Sequence, residues 1–257
     1  MADLNLHLEG AVARLVIDRP DKRNAMSLSM WRELSSLVAQ AGRAHEVRVI
    51  VLQGAHANAF SAGADISELV AHAASEELAG SFMDMIEAAT VAMTDCAKPM
   101  VAAIRGDCMG GGIELAMACD VRIASSASRF AIPPAKLGAL YGFSSTLRLV
   151  QLVGPGRAKD LLFSGRQFGA VEAYAIGLLD QLHAAEDFDA AVDRYVATLC
   201  QRARSSQRGA KTMVAAALNR LAWEDASLRQ LRLDNFLGED LKEGASAFLA
   251  KRPPSFC

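Results

Sequence analysis

Val12–Ile17 is a short apolar run with β-branched side chains, closed by Asp18-Arg19-Pro20, and it predicts a strand. Met30, Leu34, Leu37, Val38 and Ala41 follow at helical spacing, with Gly42 expected as the stop. Val47–Leu52, ended by Gly54, predicts a second buried strand. Leu78, Phe82, Met85, Ile86, Ala89 and Met93 then make one helical stripe that ends before Lys98-Pro99. Met100–Ile104 and Val121–Ala124 predict two more strands. Strands alternating with helices indicate parallel crossover units, whose sites lie where strands end and loops begin. The last part of the chain changes character. Phe188, Val192, Tyr195, Val196 and Leu199 form one helical face, and Met213, Val214, Ala217, Leu218 and Leu221 another. The pattern thus divides an α/β core over 1–185 from a helical region over 186–257, with no low-complexity linker between them.

Composition narrows the class. Of 257 residues, 52% are hydrophobic and 22% charged, which is the balance of a globular chain and not of a disordered one. A net charge of -2 supplies no basic field for nucleic acid or an acidic membrane surface, so neither is expected as a partner. Cys96, Cys108, Cys119, Cys200 and Cys257 form no CxxC pair and are odd in number. That argues against a disulfide framework and a zinc site and fits a reducing compartment. His7, His45, His56, His72 and His183 stand apart without metal-ligand spacing, so no metal is expected. No signal peptide, membrane span or lipidation box is expected either, which makes the cytoplasm the default location.

Candidate chemistry concentrates in two segments. Ile104-Arg-Gly-Asp-Cys-Met-Gly-Gly-Gly-Ile-Glu114 carries a strand into Gly110-Gly111-Gly112, which opens an alanine-rich apolar helix. Glycines let the backbone approach a ligand, and the first turn of a helix presents unpaired N–H groups to a negative oxygen. Glu114 follows Gly111 by three residues, so its carboxylate can reach the same pocket. That suits an oxyanion site with an acid or base beside it. The same residues equally suit close helix packing, with Glu114 complementing the helix dipole. Neither a GxxxxGK[ST] nor a GxGxxG pattern is present. Asn58-Ala-Phe-Ser-Ala-Gly-Ala-Asp65-Ile, the second segment, follows a predicted strand and ends in a helix-capping aspartate. Two such loops together can aim two donors at one oxygen.

With these residues in view, the sequence resembles the crotonase (enoyl-CoA hydratase/isomerase) superfamily over nearly its whole length. Asp18-Arg-Pro-Asp-Lys-Arg-Asn-Ala-Met26 is similar to an early family turn. Ala59-Phe-Ser-Ala-Gly-Ala-Asp65-Ile resembles the first oxyanion loop, and Gly110-Gly-Gly-Ile-Glu114-Leu-Ala the second. Leu137-Gly138, Arg148-Leu149, Lys159 through Gly165 and Ala247 through Arg252 recur in the family's order. The resemblance implies the crotonase (ClpP-like) fold, a spiral of ββα repeats with a helical C-terminal trimerisation region, assembled as a homotrimer or a dimer of trimers. It implies that the N–H groups of Ala64 and Gly111 hold the thioester oxygen, with Glu114 as acid/base. Coenzyme A, part of the acyl-CoA substrate and not a separate cofactor, would be gripped around Lys22, Arg23, Ala25, Ala62, Asp65 and Ile66, with Phe248 and Lys251 near the C-terminus.

The sequence departs from that pattern in one respect that matters. Family hydratases carry a second glutamate at a position that falls here on Pro134, and proline transfers no proton. Tyr141, in Leu140-Tyr141-Gly142-Phe143, resembles what the family's acyl-CoA decarboxylases show, where it would turn a substrate carboxylate. Position 64, however, is Ala where the bacterial decarboxylase pattern has histidine. Three readings therefore stand: an enoyl-CoA hydratase/isomerase-type enzyme, a decarboxylase of a malonyl-CoA derivative, and an acyl-CoA- or RNA-binding protein without catalysis.

Overall fold

The computed structural model describes residues 3–218, 226–252 and 254–256. The chain opens with a hairpin of β1 (Leu4–Glu9) and β2 (Val12–Ile17), then a 3-10 turn over Pro20–Lys22 and α1 (Leu28–Arg43). Three ββ units follow. They are β3 (Val49–Gly54) with β4 (Ala59–Ser61), β5 (Met100–Ile104) with β6 (Asp107–Met109), and β7 (Val121–Ser125) with β8 (Arg129–Ala131). Each leads into helix: α2 (Ile66–His72) and α3 (Glu76–Asp95), then α4 (Gly111–Ala118), then α5 (Pro134–Leu137) and α6 (Phe143–Ser164). The chain continues through β9 (Gln167–Gly169), α7 (Ala170–Ala175) and β10 (Gln181–His183). It then runs through α8 (Phe188–Cys200), α9 (Arg204–Leu218), α10 (Ala226–Leu237) and α11 (Glu239–Leu249).

Each ββ unit gives its first strand to a six-stranded sheet, ordered β1-β2-β3-β5-β7-β10, and its second to a four-stranded sheet, ordered β4-β6-β8-β9. Pairing is parallel except for β1 with β2 and β8 with β9. The large sheet is covered on both faces, which is why its central strands read as unbroken apolar runs instead of alternating ones. Ile50 and Leu52 enter the main core, while Val49 and Val51 pack with Val101, Ile123, Phe188, Val192 and Val196 beneath α8.

Strands β2 and β5 fall where periodicity placed them, and the β3 run is shifted two residues toward Gly54. Gly42 does not stop α1; the helix reaches Arg43, and its terminal carbonyls at Ala41 and Ala44 accept from Lys98 Nζ at 2.8 and 2.5 Å. A distant lysine thus supplies the ending that a glycine was expected to give. Beyond β10, every described helix or strand is helical, as the Phe188 and Met213 stripes predicted, although Leu221 lies outside the described residues. No helix among the described residues is long and apolar enough to cross a membrane.

Candidate active site

The site begins with two stretches laid side by side. Ala62 N–H donates to Arg23 O at 2.9 Å, Met26 N–H to Gly63 O at 2.7 Å, and Asp65 N–H to Met26 O at 2.9 Å. Buried Asn24, at φ 59°, donates to Ala59 O at 2.8 Å and fixes the turn. The Ser61 hydroxyl donates to Asn24 O at 2.8 Å and accepts from Gly63 N–H at 3.1 Å. Asp65 caps α2 through Ser67 and receives Arg19 Nη1 at 2.8 Å. Its carboxyl lies below the usual range, held there first by the Ser67 hydroxyl and then by Arg19, against the opposing effect of burial. In this parallel bridge between Met26 and Ala64, alternate N–H groups face away from the partner. Ala64 N–H is such a group, and no described residue accepts it.

The second stretch meets the first at Gly111. Gly110 turns the chain at φ 48°, donates to Ala131 O at 2.9 Å, and hands over to α4. Gly111 is the first residue of that helix, so its N–H has no intrahelical acceptor. A Cβ on Gly111 would stand 3.2 Å from Ala64 N, and one on Gly63 only 2.8 Å from Gly111 N. One on Gly112 would press on Ser61 O at 2.4 Å. The glycines are therefore required by contact: they let two unpaired N–H groups from different loops sit side by side.

Both groups face a cleft of about 530 Å³. α4 is buried throughout, and Glu114 in its first turn lines the cleft. Burial pushes its carboxyl above the ordinary value, outweighing the Ser145 hydroxyl and Arg148, which pull it down. Pro134 is buried, starts α5 and also lines the cleft. Tyr141 lines it too, but its hydroxyl donates to Gly110 O at 2.6 Å. Here that proton is engaged by the protein's own backbone, beside the second loop. Burial raises the Tyr141 phenol well above its usual range, which keeps it a donor. Gly110 O and Gly111 N–H belong to one peptide plane, so the tyrosine holds the group that presents the second donor.

Of the residues expected around coenzyme A, Ala62 and Ile66 line the cleft, and Ala25 is buried in the adjoining ladder. Lys22 and Arg23 are exposed on the same turn. Asp65 has its carboxylate and N–H engaged internally. Lys251 is exposed in the turn after α11 and does not line the cleft, and the Phe248 side chain lies outside the described ones. Periodicity marked α3 only as a helical stripe; in the structure Phe82, Met83, Asp84, Ile86 and Glu87 form a wall of this cleft.

Repeated ββα units around a cleft floored by two loop amides define the crotonase fold. A family model described as Enoyl-CoA hydratase/isomerase matches residues 7–257, and the chain belongs to that family. It is similar to the crotonyl-CoA hydratase of Syntrophomonas wolfei, at 33% identity over 260 residues, covering 98% of this chain and 96% of the other. The short-chain-enoyl-CoA hydratase of Clostridium acetobutylicum is 33% identical over 255 residues, covering 96% and 94%. Among solved structures, an enoyl-CoA hydratase/isomerase family protein from Hyphomonas neptunium superimposes with a TM-score of 0.96 at 38% identity, covering 100% of this chain and 98% of that one.

Proposed function

We propose that this enzyme acts on a short-chain enoyl-CoA thioester by stabilising its enolate, with Ala64 and Gly111 N–H groups donating to the thioester oxygen. The observation that carries the reading is the adjacency of those two unpaired amides at the floor of the cleft. Preorganised donors aimed at developing negative charge each contribute about 3–4 kcal/mol to a transition state. Glu114 serves the α-carbon: burial raises its affinity for a proton, which favours the acid form that a proton donor needs. Coenzyme A enters as part of the substrate, along Lys22, Arg23, Ala62 and Ile66. The apolar face of α9, with Val214 and Leu218 exposed, suits a trimer in which the region from 186 onward meets its copies.

Electrostatics favour the enoyl over the malonyl reading. Asp84, Glu87 and Glu114 line the cleft, and no lysine, arginine or histidine does so among the described residues. A substrate bearing its own carboxylate would meet Asp84 and Glu87 with no cation lining the cleft beside it. The test offers crotonyl-CoA and methylmalonyl-CoA separately to the purified protein. Turnover of the first supports this reading, and turnover of the second alone overturns it.

A further inference from the structure

We propose that Glu87, on α3, is the second carboxylate of the reaction, standing in for the proton-transfer group that Pro134 lacks. This inference rests on the hydratase reading. The Pro134 wall of the cleft carries no acid, whereas α3 brings one to the same 530 Å³ space that Glu114 and the two amides line. Glu87 is not a loose surface acid. Ser144, in the first turn of α6, donates to Glu87 Oε2 at 2.5 Å and anchors the side chain at the rim. Glu87 and Glu114 line one cleft, and the charge of Glu87 opposes ionisation at Glu114.

Arg148, one turn beyond Ser144 on α6, lies within the field of both carboxylates, and its Nη1 has no hydrogen-bond partner among the described residues.

The division of labour follows from exposure. The water oxygen bonds to the β-carbon, one of its O–H bonds breaks, and that proton passes to the Glu87 carboxylate. The electron pair of the carbon–carbon double bond moves into the enolate held by the two amides. It returns as the α-carbon takes the proton of the Glu114 carboxyl. Glu87, exposed at the mouth, releases its proton to solvent, and Glu114 recovers one, so one water is added and nothing else is consumed.

The experiment separates the two carboxylates with two reactions on the full-length protein. Hydration of crotonyl-CoA needs both groups, whereas exchange of the α-proton of saturated butyryl-CoA in D2O needs only Glu114 and the amides. Glu87→Gln is expected to lower hydration at least about a hundredfold while exchange stays within about threefold of the parent. Ser144→Ala, which leaves the carboxylate in place but unanchored, is expected to lower hydration about tenfold with exchange unchanged. Wild-type hydration rates in Glu87→Gln overturn the proposal and leave the hydratase reading intact. Equal loss of hydration and exchange in Glu87→Gln also overturns it, because the residue would then be structural. A parent protein that neither hydrates nor exchanges sinks the underlying reading as well.

Discussion

The two sides of the cleft are built on opposite principles. Its floor, where 62–65 meets 110–114, is packed backbone with no free space for a methyl group at Gly63 or Gly112 and little at Gly111, and nearly every neighbouring polar atom is paired. Its outer wall, α3 and 133–145, is side chain instead of backbone, and Leu140 and Phe143 are 97% and 83% exposed. The floor holds two unpaired N–H groups side by side through packed backbone, the kind of preorganisation that a junction of this type provides. The wall is the part of the cleft that, under the proposed function, would meet the acyl group. Under the proposed function, enolate chemistry belongs to the floor and reaction specificity to the wall.

Breaking the floor has the largest consequences. Glu114→Gln should lower kcat for hydration by a hundredfold or more, about the contribution of one acid/base group, while acyl-CoA binding measured by calorimetry changes little. Gly63→Ala places a methyl 2.8 Å from Gly111 N on a residue at φ 96°, and should lower kcat about a hundredfold by separating the donors. Tyr141→Phe leaves the peptide but frees its carbonyl, and a loss of about tenfold in kcat with KM little changed is expected. That result would place Tyr141 with the floor despite its position in the wall.

The smallest effect concerns stability. The folded-state affinity of Glu114 for its proton lies above the ordinary value of 4.5, so the folded protein binds more protons than the unfolded chain in that window. Its contribution to stability is present below the ordinary value and lost as pH rises through the raised one. Glu114→Gln should therefore melt at a higher temperature than the parent above this window and at nearly the same temperature at pH 4. Thermal unfolding at the two pH values checks the sign.

The sequence disclosed the floor far better than the wall. Gly110-Gly111-Gly112 with Glu114, and Ser61 through Asp65, are local patterns whose chemistry is written in consecutive residues. The long buried strands and the stripes of α1, α3 and α8 were legible for the same reason, since each repeats its period several times. Strands β4, β6, β8 and β9 were not, because three residues carry no period. Glu87 was hidden differently. It sits beside the Ile86 stripe as an ordinary helix-surface acid, and only the packing of α3 over α4 brings it to the cleft. The hydroxyl of Tyr141 finds Gly110 O across 31 positions, a contact no local pattern announces.

The most direct measurement is isotope-edited infrared difference spectroscopy of a bound saturated acyl-CoA labelled at its thioester carbonyl. Two amides converging on that oxygen should lower its stretching frequency relative to the free thioester, and Gly63→Ala should abolish much of the shift. A carbonyl band unchanged on binding to the parent protein would show that no such pair of donors reaches the oxygen.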